Sequence, residues 1–527
     1  MKRTLIISAL VLASLTARSQ YAWDALRFSQ TSYEGTARSL SMGNAMAALG
    51  GDMGAIAYNP AALGVYRYSE FVITPSVNGT QDVLSSYSNY AGTLSQGGNN
   101  VGARIGLSNI GALFDFKINE NYGLLNLNVA ISAHQSANYF SRASTDYTLN
   151  DGSAYLSALA SNYSEGYITE EEDLGWSTYA LDQKVIRIDP PHDTVWSDIY
   201  GMTDMFLDDN TLAVAGPVKH AYTRNTRGYT QDVNFSVGGN VNNMFFFGLN
   251  LTLVTMSYNS TISKRESSVN VSDFPTGFDY CSYSKNIRMS GVGFKMTAGV
   301  IVRPIAGLSI GASVTTPAWT TIRENRYYDM TTSSIQHRQI SSDISGSYTF
   351  KMTSPWRWTA GLGYIFGQRC SVDVDYEAAY YGQIKLTEKD GKEGIFSGDY
   401  GDNAYIKNNF KTVHSVRAGT EWLIVPGFSM RAGYNFYSRT NDLKENDRLV
   451  YNDERHFASF GLGWRSRSSI YIDAAAQVQC NTVREEFNPM YEPYCYDPLT
   501  DEYLVSAPYA VENSRAWKVL LTIGFRF

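Results

Sequence analysis

The sequence predicts an all-β protein, a transmembrane antiparallel β-barrel of about 14 strands with an N-terminal plug inside its lumen. Three observations lead to this fold class. Nearly all residues after Tyr68 fall into runs that alternate apolar and polar residues between turn signals, which is typical of half-buried strands. The connections between these runs are alternately short and long. The chain ends in an alternating run whose last residue, Phe527, is aromatic.

The first residues predict an exported protein. Lys2 and Arg3 precede an apolar run from Leu5 to Leu15, and small residues follow it. This pattern indicates a signal peptide over residues 1–19, which is too short to cross a membrane as a helix. The predicted divisions of the chain are the signal peptide, the plug at 20–67 and the barrel at 68–527 with a long outer loop at 141–227.

The composition favours a membrane barrel over a helical membrane protein. The mature part contains no run of 18 apolar residues, and 13% of the chain is aromatic, including 38 Tyr. Helical membrane proteins need such runs, whereas barrels need only alternating segments and aromatic girdles at both interfaces. On composition alone, a secreted soluble β-protein remains the alternative. The net charge of -7 argues against a nucleic-acid partner.

Turns and loops divide the chain into the predicted strands. An even number of strands places both chain ends on the periplasmic side of a bacterial barrel. The predicted strands run over residues 68–79, 102–117, 122–140, 228–241, 245–264, 283–303, 308–328, 343–366, 371–386, 407–424, 428–440, 453–465, 469–483 and 514–527.

The lengths of the connections support this count. In membrane barrels, short turns face the periplasm and long loops face outward, so the two kinds must alternate. A soluble sandwich gives no reason for such sorting, and the alternation therefore favours the barrel. The short connections are residues 118–121, 242–244, 304–307, 367–369, 425–427 and 466–468.

The alternation also predicts which side chains face lipid. In the strand at 245–264, Leu249 and Leu251 lie on one face and Asn250 on the other. A charge that faces lipid at mid-depth costs a few kcal/mol, so Asp473 is expected to point into the lumen. The same pattern places His134 in the lumen.

Residues 37–64, ARSLSMGNAMAALGGDMGAIAYNPAALG, do not alternate. A segment rich in Gly and Ala can thread a lumen into which wall side chains intrude. Within it, Pro60 fixes φ and the Asn59 side chain can bond to nearby backbone, so Asn59-Pro60-Ala61 predicts a rigid turn. The segment resembles the N-terminal hatch of the FadL/TodX family of outer-membrane transporters for long-chain fatty acids and other hydrophobic compounds. In that family, an Asn-Pro-Ala triplet belongs to the hatch.

The resemblance implies a function and a set of site residues. It implies an outer-membrane channel for passive uptake of hydrophobic compounds such as long-chain fatty acids, gated by the hatch and by a lateral opening near the third strand. An outer loop such as 141–227 would help to form the first ligand-binding groove. The implied gating residues are Asn59, Pro60, Ala61, Gly43 and Gly64. The residues small enough to let the third strand bend inward are Ala130, Ala133 and Ala137, although no Gly or Pro lies there to force the bend.

The outer loop predicts a short helix over residues 155–163 and contains the acidic run Glu170-Glu171-Glu172-Asp173. Solvated charge explains this run better than a Ca²⁺ site does.

The chain shows no nucleophile with a positioned base and no metal-ligand spacing, so we predict no enzyme activity, no cofactor and no metal. The expected partners are a hydrophobic small molecule or lipid, outer-membrane lipid, and the barrel-assembly machinery through the strand that ends at Phe527. A monomer is expected.

Two other functions are compatible with the sequence. One is a barrel of the same fold that serves as a platform for exported protein partners. The other is a haem-binding receptor, for which His134 would be a lumen contact. The pairing of Cys480 with Cys495 also stays open, and neither Cys281 nor Cys370 has an obvious partner.

Overall fold

The structure is a computed structural model that describes residues 20–31, 34–88, 92–95, 99–118, 123–150, 152–189, 194–207, 212–367, 369–445, 448–466, 469–497 and 502–527. The predicted signal peptide lies outside these residues. The wall is one closed antiparallel sheet of fourteen strands, because the first strand pairs with both the second and the last. The sequence prediction of a barrel with this number of strands is confirmed.

Several wall strands are interrupted near the outer rim and continue as a second segment. The wall strands are β1 Glu70–Ser88, β2 Asn99–Lys117, β3 Leu124–Asn138 with Ser141–Leu149, β4 Val218–Val241, β5 Phe245–Ser268, β6 Phe278–Ile305, β7 Leu308–Thr315 with Trp319–Ser334, β8 Arg338–Thr353 with Arg357–Phe366, β9 Cys370–Tyr380 with Lys385–Glu388, β10 Thr412–Val425, β11 Phe428–Tyr437, β12 Arg455–Arg465, β13 Ile470–Gln479 with Val483–Phe487, and β14 Tyr509–Arg526.

The wall extends further outward than the sequence predicted. Residues 141–227 were expected to be a loop, but Ser141–Leu149 continues β3 and β4 begins at Val218. These two segments pair with each other from Ser141 with Thr226 to Leu149 with Val218. Ala143, Tyr147 and Leu149 are buried on the inner face of this segment, whereas its outward face is polar, so it lacks the apolar outer face of a lipid-facing strand.

The side chains alternate as predicted across the membrane. Leu249 and Leu251 are each 49% exposed on the lipid face, whereas Phe246 is 1% exposed in the lumen. Asp473 is 1% exposed and its carboxylate accepts from Arg431 Nη1 at 2.7 Å. His134 also faces the lumen, at 4% exposure. The apolar lipid face of each strand therefore sets the register of the wall.

The remaining regular structure lies in the plug and the outer loops. No helix among the described residues is both long and apolar enough to span a membrane. The helices are α1 Gln20–Ser29, α2 Ala37–Ser41, α3 Tyr155–Ser164, α4 Glu170–Ser177 and α5 Asp402–Asn409, with single 3-10 turns at Ala55–Ala57, Pro60–Val65, Val271–Asp273, Tyr381–Gln383 and Gly394–Phe396. Two further short strands join the wall sheet, Gly92–Ser95 beside β1 and Tyr451–Asn452 beside β13. The short strands outside the wall are Leu181–Asp189, Thr194–Gly201, Asp204–Phe206, Leu212–Val214, Lys444–Glu445, Arg448–Leu449, Tyr494–Asp497 and Glu502–Val505.

The acidic run of the outer loop forms the first turn of α4. Thr169 and Glu172 make a capping box there, in which each side chain satisfies a backbone N–H of the helix start. Carboxylates at this end also complement the positive end of the helix dipole. The run therefore has a structural role in starting the helix.

Asp204 fixes a second part of the outer loop. Its carboxylate accepts from the Ser157 hydroxyl of α3 and from the Gly201 N–H, the latter at 2.7 Å. Burial raises the pKa of Asp204 to about 7 despite these hydrogen bonds, and the nearby Glu266 adds to the rise. The folded loop thus holds a proton that the unfolded chain, with an aspartate pKa of 3.8, would release.

We expect the outer loop to lose local stability as pH rises from about 4 to about 7, by at most about 1.4 kcal/mol per pH unit. The sign follows because the raised pKa favours the folded loop only while Asp204 is protonated. Amide exchange of α3, corrected for intrinsic rates, should be faster at pH 8 than at pH 5.5. Asp204→Asn should remove most of this difference, and an unchanged pH dependence in that variant would contradict the assignment.

Candidate functional site

The plug fills the lumen from the outer side inward. Its first helix, α1, is fixed at both ends. The Ala22 N–H donates to Asp402 Oδ1 at 2.9 Å, and Arg357 Nη2 donates to the Ser29 carbonyl at 2.6 Å. A carboxylate at the N-terminus and a guanidinium at the C-terminus both complement the dipole of α1.

The Asn59-Pro60-Ala61 triplet forms the capped turn that the sequence predicts. The Asn59 Oδ1 accepts from the Ala61 N–H at 3.1 Å, and Pro60 begins the 3-10 turn. Asn59 Nδ2 donates to the carbonyls of Ala47 at 2.8 Å and of Val300 in β6 at 3.1 Å. The triplet therefore connects two parts of the plug to each other and to the wall.

Glycines on the inner wall allow the plug backbone to touch the strands. A Cβ added at Gly248 would overlap the Pro60 carbonyl, and one added at Gly299 would overlap the Asn59 side chain. We call this set the glycine belt. Its members are Gly238, Gly248, Gly299, Gly311, Gly419, Gly433 and Gly461, each of which meets a plug residue.

The two predicted plug glycines fit against the same wall. Gly43 has a φ of +63°, and a Cβ there would lie 2.7 Å from the Tyr434 carbonyl oxygen of β11. A Cβ at Gly64 would overlap the carbonyl of Gly239 in β4. Both positions therefore require glycine for close approach, and Gly43 also requires it for its backbone conformation.

Buried charges on the wall anchor the plug, and the sequence reasoning missed them. Asp375 of β9 accepts from the N–H groups of Met46 at 2.9 Å and Ala47 at 3.0 Å, and Asp373 accepts from Leu49 at 3.1 Å. Both carboxylates are fully buried. The signal was present as acidic residues at alternate positions of an apolar strand, Val-Asp-Val-Asp.

Ion pairs occupy the lumen below the plug helix α2. Arg38 donates to Glu421 Oε2 of β10 at 2.8 Å, and Arg431 of β11 joins Glu421 at 3.3 Å to Asp473 of β13 at 2.7 Å. Nearer the periplasm, Arg526 pairs with Glu70. An apolar molecule that moved straight through the lumen would have to separate these buried charges.

The backbone hydrogen-bond ladder between β2 and β3 is incomplete, and we call the unpaired stretch the lateral seam. The two strands pair only from Lys117 with Asn126 to Asn109 with His134. Beyond that point, the described residues 99–108 of β2 stay paired with β1, whereas β3 pairs only with β4. Across the lateral seam, side-chain contacts replace the backbone ladder: Asn100 Nδ2 donates to Ser144 Oγ at 3.4 Å, and Phe140 packs against Gly102.

Bulges at both edges of the lateral seam start the separation. The β1–β2 register shifts so that Ser108 is an extra residue, and the β3–β4 register shifts so that Ser136 is one. β3 then breaks at Tyr139 and Phe140. A bulge bends a strand without Gly or Pro, which gives a physical reason for a bend in a stretch that contains neither.

The three predicted alanines of β3 lie around this bend. Ala130 is 3% exposed and packs against plug residues that include Met53 and Ile56. Ala133 lies on the opposite face and is half-buried. Ala137, after the Ser136 bulge, is 6% exposed and lines a cavity in the outer half of the lumen.

Glu34 of the plug lies directly behind the lateral seam. It is fully buried, and its N–H donates to the Gln135 carbonyl of β3 at 2.9 Å. Its carboxylate accepts from Asn78 of β1 at 3.0 Å and from Ser108 of β2 at 3.1 Å, and it pairs with Lys518 of β14 at 3.1 Å. One plug residue thus joins the strands on both sides of the lateral seam.

The cavity has a volume of about 730 Å³ and lies between α1, the bend of β3 and the outer parts of several wall strands. Aromatic residues and cations share its lining. Arg27 pairs with Asp24 and Arg224 with Glu512. Arg455, by contrast, stacks over Tyr437 at 5.2 Å, and no described carboxylate lies within 4 Å of it. The lining includes Trp23, Tyr139, Phe140, Tyr258, Ile262, Ile287, Tyr451 and Phe487.

The other candidate groups have ordinary partners. His134 Nδ1 bonds to Asn234 Nδ2 at 2.9 Å, and its Nε2 lies 3.7 Å from Asp232. All four cysteines are free, so Cys480 and Cys495 are not paired. Among the described residues, no three His, Cys, Asp or Glu side chains are grouped so as to hold a metal ion.

The fold and the site together define an outer-membrane transport barrel with a plugged lumen. A model of the family described as outer membrane protein transport protein (OMPP1/FadL/TodX) matches residues 219–491, which is more than half of the chain. The chain therefore belongs to this family of outer-membrane transporters of hydrophobic compounds. Its location is the bacterial outer membrane.

Several solved structures are similar to this chain. A Pseudomonas aeruginosa FadL homologue is 13% identical, with 94% of this chain and 98% of that chain covered and a TM-score of 0.52. A deletion mutant of the TodX monoaromatic hydrocarbon channel is 11% identical over 93% and 98% of the two chains, with a TM-score of 0.50. The Ralstonia pickettii toluene transporter TbuX is 13% identical over 94% and 99%, with a TM-score of 0.48. Among curated proteins, no relative matches this chain.

Proposed function

We propose that this protein takes up hydrophobic molecules with an anionic head group, such as long-chain fatty acids, passively and through the lateral seam. The observation that carries the proposal is the position of the cavity. Residues of the β3 bend, from Ala137 to Ser141, line it, and the lateral seam begins at the same bend. A ligand in the cavity is therefore adjacent to the part of the wall that only side-chain contacts hold closed.

A ligand could leave the cavity along the axis of the lumen or through the lateral seam, and the residues along the two routes favour the lateral seam. The axial route is closed by the pairs Arg38–Glu421 and Arg431–Asp473, and separating a buried pair costs about 3–5 kcal/mol. The edge of the lateral seam instead carries exposed apolar side chains, with Ile105 81% exposed and Val101 65% exposed. A hydrocarbon tail that leaves sideways moves from an apolar edge directly into lipid.

The plug is the proposed gate. Asn59, Pro60 and Ala61 hold its lower turn against β6, and Gly43 and Gly64 seat its backbone on β11 and β4. Glu34 links the same segment to β3. In this proposal, ligand bound beside α1 shifts the plug, and the shift reaches the lateral seam through Glu34.

Arg455 is the proposed main partner of the ligand's anionic group, because the other two guanidinium groups in the cavity already pair with carboxylates; the Lys285 ammonium also lines the cavity and lies 5.4 Å from the Tyr328 ring centroid. Its interaction would be charge-assisted, and hydrogen bonds to charged groups contribute about 1.5–3 kcal/mol. A purely apolar ligand such as toluene would gain nothing from it. This difference separates an amphiphile carrier from a carrier of neutral hydrocarbons.

Arg455→Gln is expected to weaken oleate binding about tenfold or more while toluene binding stays unchanged. Isothermal titration of the purified protein in nanodiscs measures both ligands. Arg265→Gln is the matched control, since Arg265 is an exposed cation that stacks on Tyr280 outside the cavity. Equal losses for oleate and toluene, or no loss for oleate, would contradict the assigned head-group site.

A further inference from the structure

Four cations on the outside of the barrel form a feature that transport does not use. Arg227 of β4, Arg288 of β6, Arg323 of β7 and Lys351 of β8 all point away from the lumen, and all are exposed. We call these four residues the basic band. They lie on one side of the barrel.

The pairing register places the members of the basic band close to each other. Arg227 and Arg288 both pair with Asn259 of β5, from its two sides. Arg323 pairs with Ser290, two residues from Arg288, and Lys351 pairs with Thr321, two residues from Arg323. Strand spacing and rise put neighbouring Cα atoms roughly 8–10 Å apart. Long Arg and Lys side chains at that spacing can converge on shared anionic groups.

The basic band begins where the lipid-facing surface ends. On β6, Val292 and Phe294 are 59% and 50% exposed to lipid, and Arg288 follows toward the outside. On β7, Trp319 is 41% exposed just before Arg323. This is the depth of the lipid head groups in the outer leaflet, where long cationic side chains extend toward polar groups.

The four cations lack acidic partners within the part of the chain that the structure describes. Among the described residues, no carboxylate lies within 4 Å of any of them. The nearest outward acids on the same strands are Asp329 and Asp343, six and eight residues further out. That separation is about 20 Å or more, which exceeds the screening length of about 10 Å in 0.1 M salt.

On strands β9 to β12, the outer end of the lipid-facing surface carries hydrogen-bonded tyrosine–histidine pairs. Tyr376 and His414 bond to each other at 2.6 Å on β9 and β10, and Tyr434 and His456 do the same on β11 and β12. Tyrosine is a common interfacial residue on barrels and carries no positive charge. The outer end of the lipid face on β4 to β8 therefore differs from that on β9 to β12.

We propose that the basic band binds the phosphate groups of the phosphorylated glycolipid of the outer leaflet, lipopolysaccharide. Guanidinium groups bind phosphate through paired hydrogen bonds, and Lys351 adds a point charge. The band starts at β4, which pairs with the bent β3, so a bound glycolipid lies beside the lateral seam. This inference rests on the outer-membrane location and does not depend on the proposed ligand or route.

The test uses lipid A with two phosphates as the probe and its dephosphorylated form as the control ligand. Native mass spectrometry of the full-length mature protein counts lipid A molecules retained per barrel. The test variant combines Arg227→Gln, Arg288→Gln, Arg323→Gln and Lys351→Gln. The control variant removes the same charge from exposed sites above the membrane: Lys219→Gln, Arg265→Gln, Lys385→Gln and Lys392→Gln.

We expect the test variant to retain bisphosphorylated lipid A at least tenfold less than the natural protein, and the control variant to match the natural protein. Retention equal in both variants, or equal retention of dephosphorylated lipid A by the natural protein, overturns the proposal. Heat-modifiable gel mobility reports folding. If the fourfold variant does not fold, Arg288→Gln with Arg323→Gln serves instead, with a loss of at least threefold expected and no loss overturning the proposal.

Discussion

Gly248→Val is expected to displace the plug from the wall while leaving the barrel folded. A Cβ at this position overlaps the Pro60 carbonyl and the Ala61 N–H, which are backbone groups that cannot rotate out of the way. Valine itself suits a strand, so the wall loses nothing. Without a seated plug, a lumen of this strand number opens to water, and its single-channel conductance should rise by about an order of magnitude or more.

Planar-bilayer conductance of the purified variant checks this result, together with the sensitivity of cells to a hydrophilic antibiotic that the outer membrane normally excludes. Gly346→Val is the matched control, because a Cβ at Gly346 of β8 meets nothing within 4 Å. A Gly248→Val barrel that conducts no more than the Gly346→Val barrel would show that the glycine belt does not hold the plug.

Glu34→Ala is expected to lower the free energy of unfolding by about 3–5 kcal/mol, because it breaks a buried ion pair with Lys518 and removes the hydrogen bonds of the Glu34 carboxylate. Lys518 is only 10% exposed, so water cannot replace the lost partner. Glu34→Ala combined with Lys518→Met should recover most of the lost free energy of unfolding, since the buried Lys518 ammonium is then removed as well. Urea unfolding in lipid bilayers measures all three proteins.

The same double variant tests the link to the lateral seam. With the stranded charge removed, the barrel is stable but the plug no longer bonds to β1 and β2 behind the lateral seam, so initial oleate uptake should rise severalfold. Glu393→Ala is the control for stability: the Lys385–Glu393 pair is exposed and should contribute less than about 1 kcal/mol. Oleate uptake that stays at the natural rate in the double variant would separate Glu34 from gating.

The membrane part of the fold could be predicted because its constraint is local. Every residue of a spanning strand must face lipid or lumen, so Leu249, Asn250 and Leu251 identify their faces without knowledge of any neighbour. The outer strand segments could not be predicted in this way. Ala143, Tyr147 and Leu149 alternate in residues 141–149, but the face opposite them is polar, so the segment lacks the lipid-facing apolar face that marks the spanning strands.

The candidate site also has parts that could be predicted from neighbouring residues and parts that could not. Asn59-Pro60-Ala61 could be read as a turn, because an Asn side chain caps the residues that follow it. The partners of that turn could not be read, because Asn59 meets Val300 from 241 residues away. The bulges at Ser108 and Ser136 likewise have no sequence mark, although the predicted alanines Ala133 and Ala137 lie on either side of the second.

By itself, the sequence determined the barrel, its strand number, its lipid face and the plug turn, because each depends on side-chain period or on residues adjacent in the chain. The anchor points of the plug, the break in the β2–β3 ladder and the cations with no carboxylate nearby among the described residues follow from the folded structure instead. Those features depend on whether residues such as Glu34, Asp375 and Arg455 contact partners that are hundreds of positions away in the chain. Such residues come together only when the barrel closes.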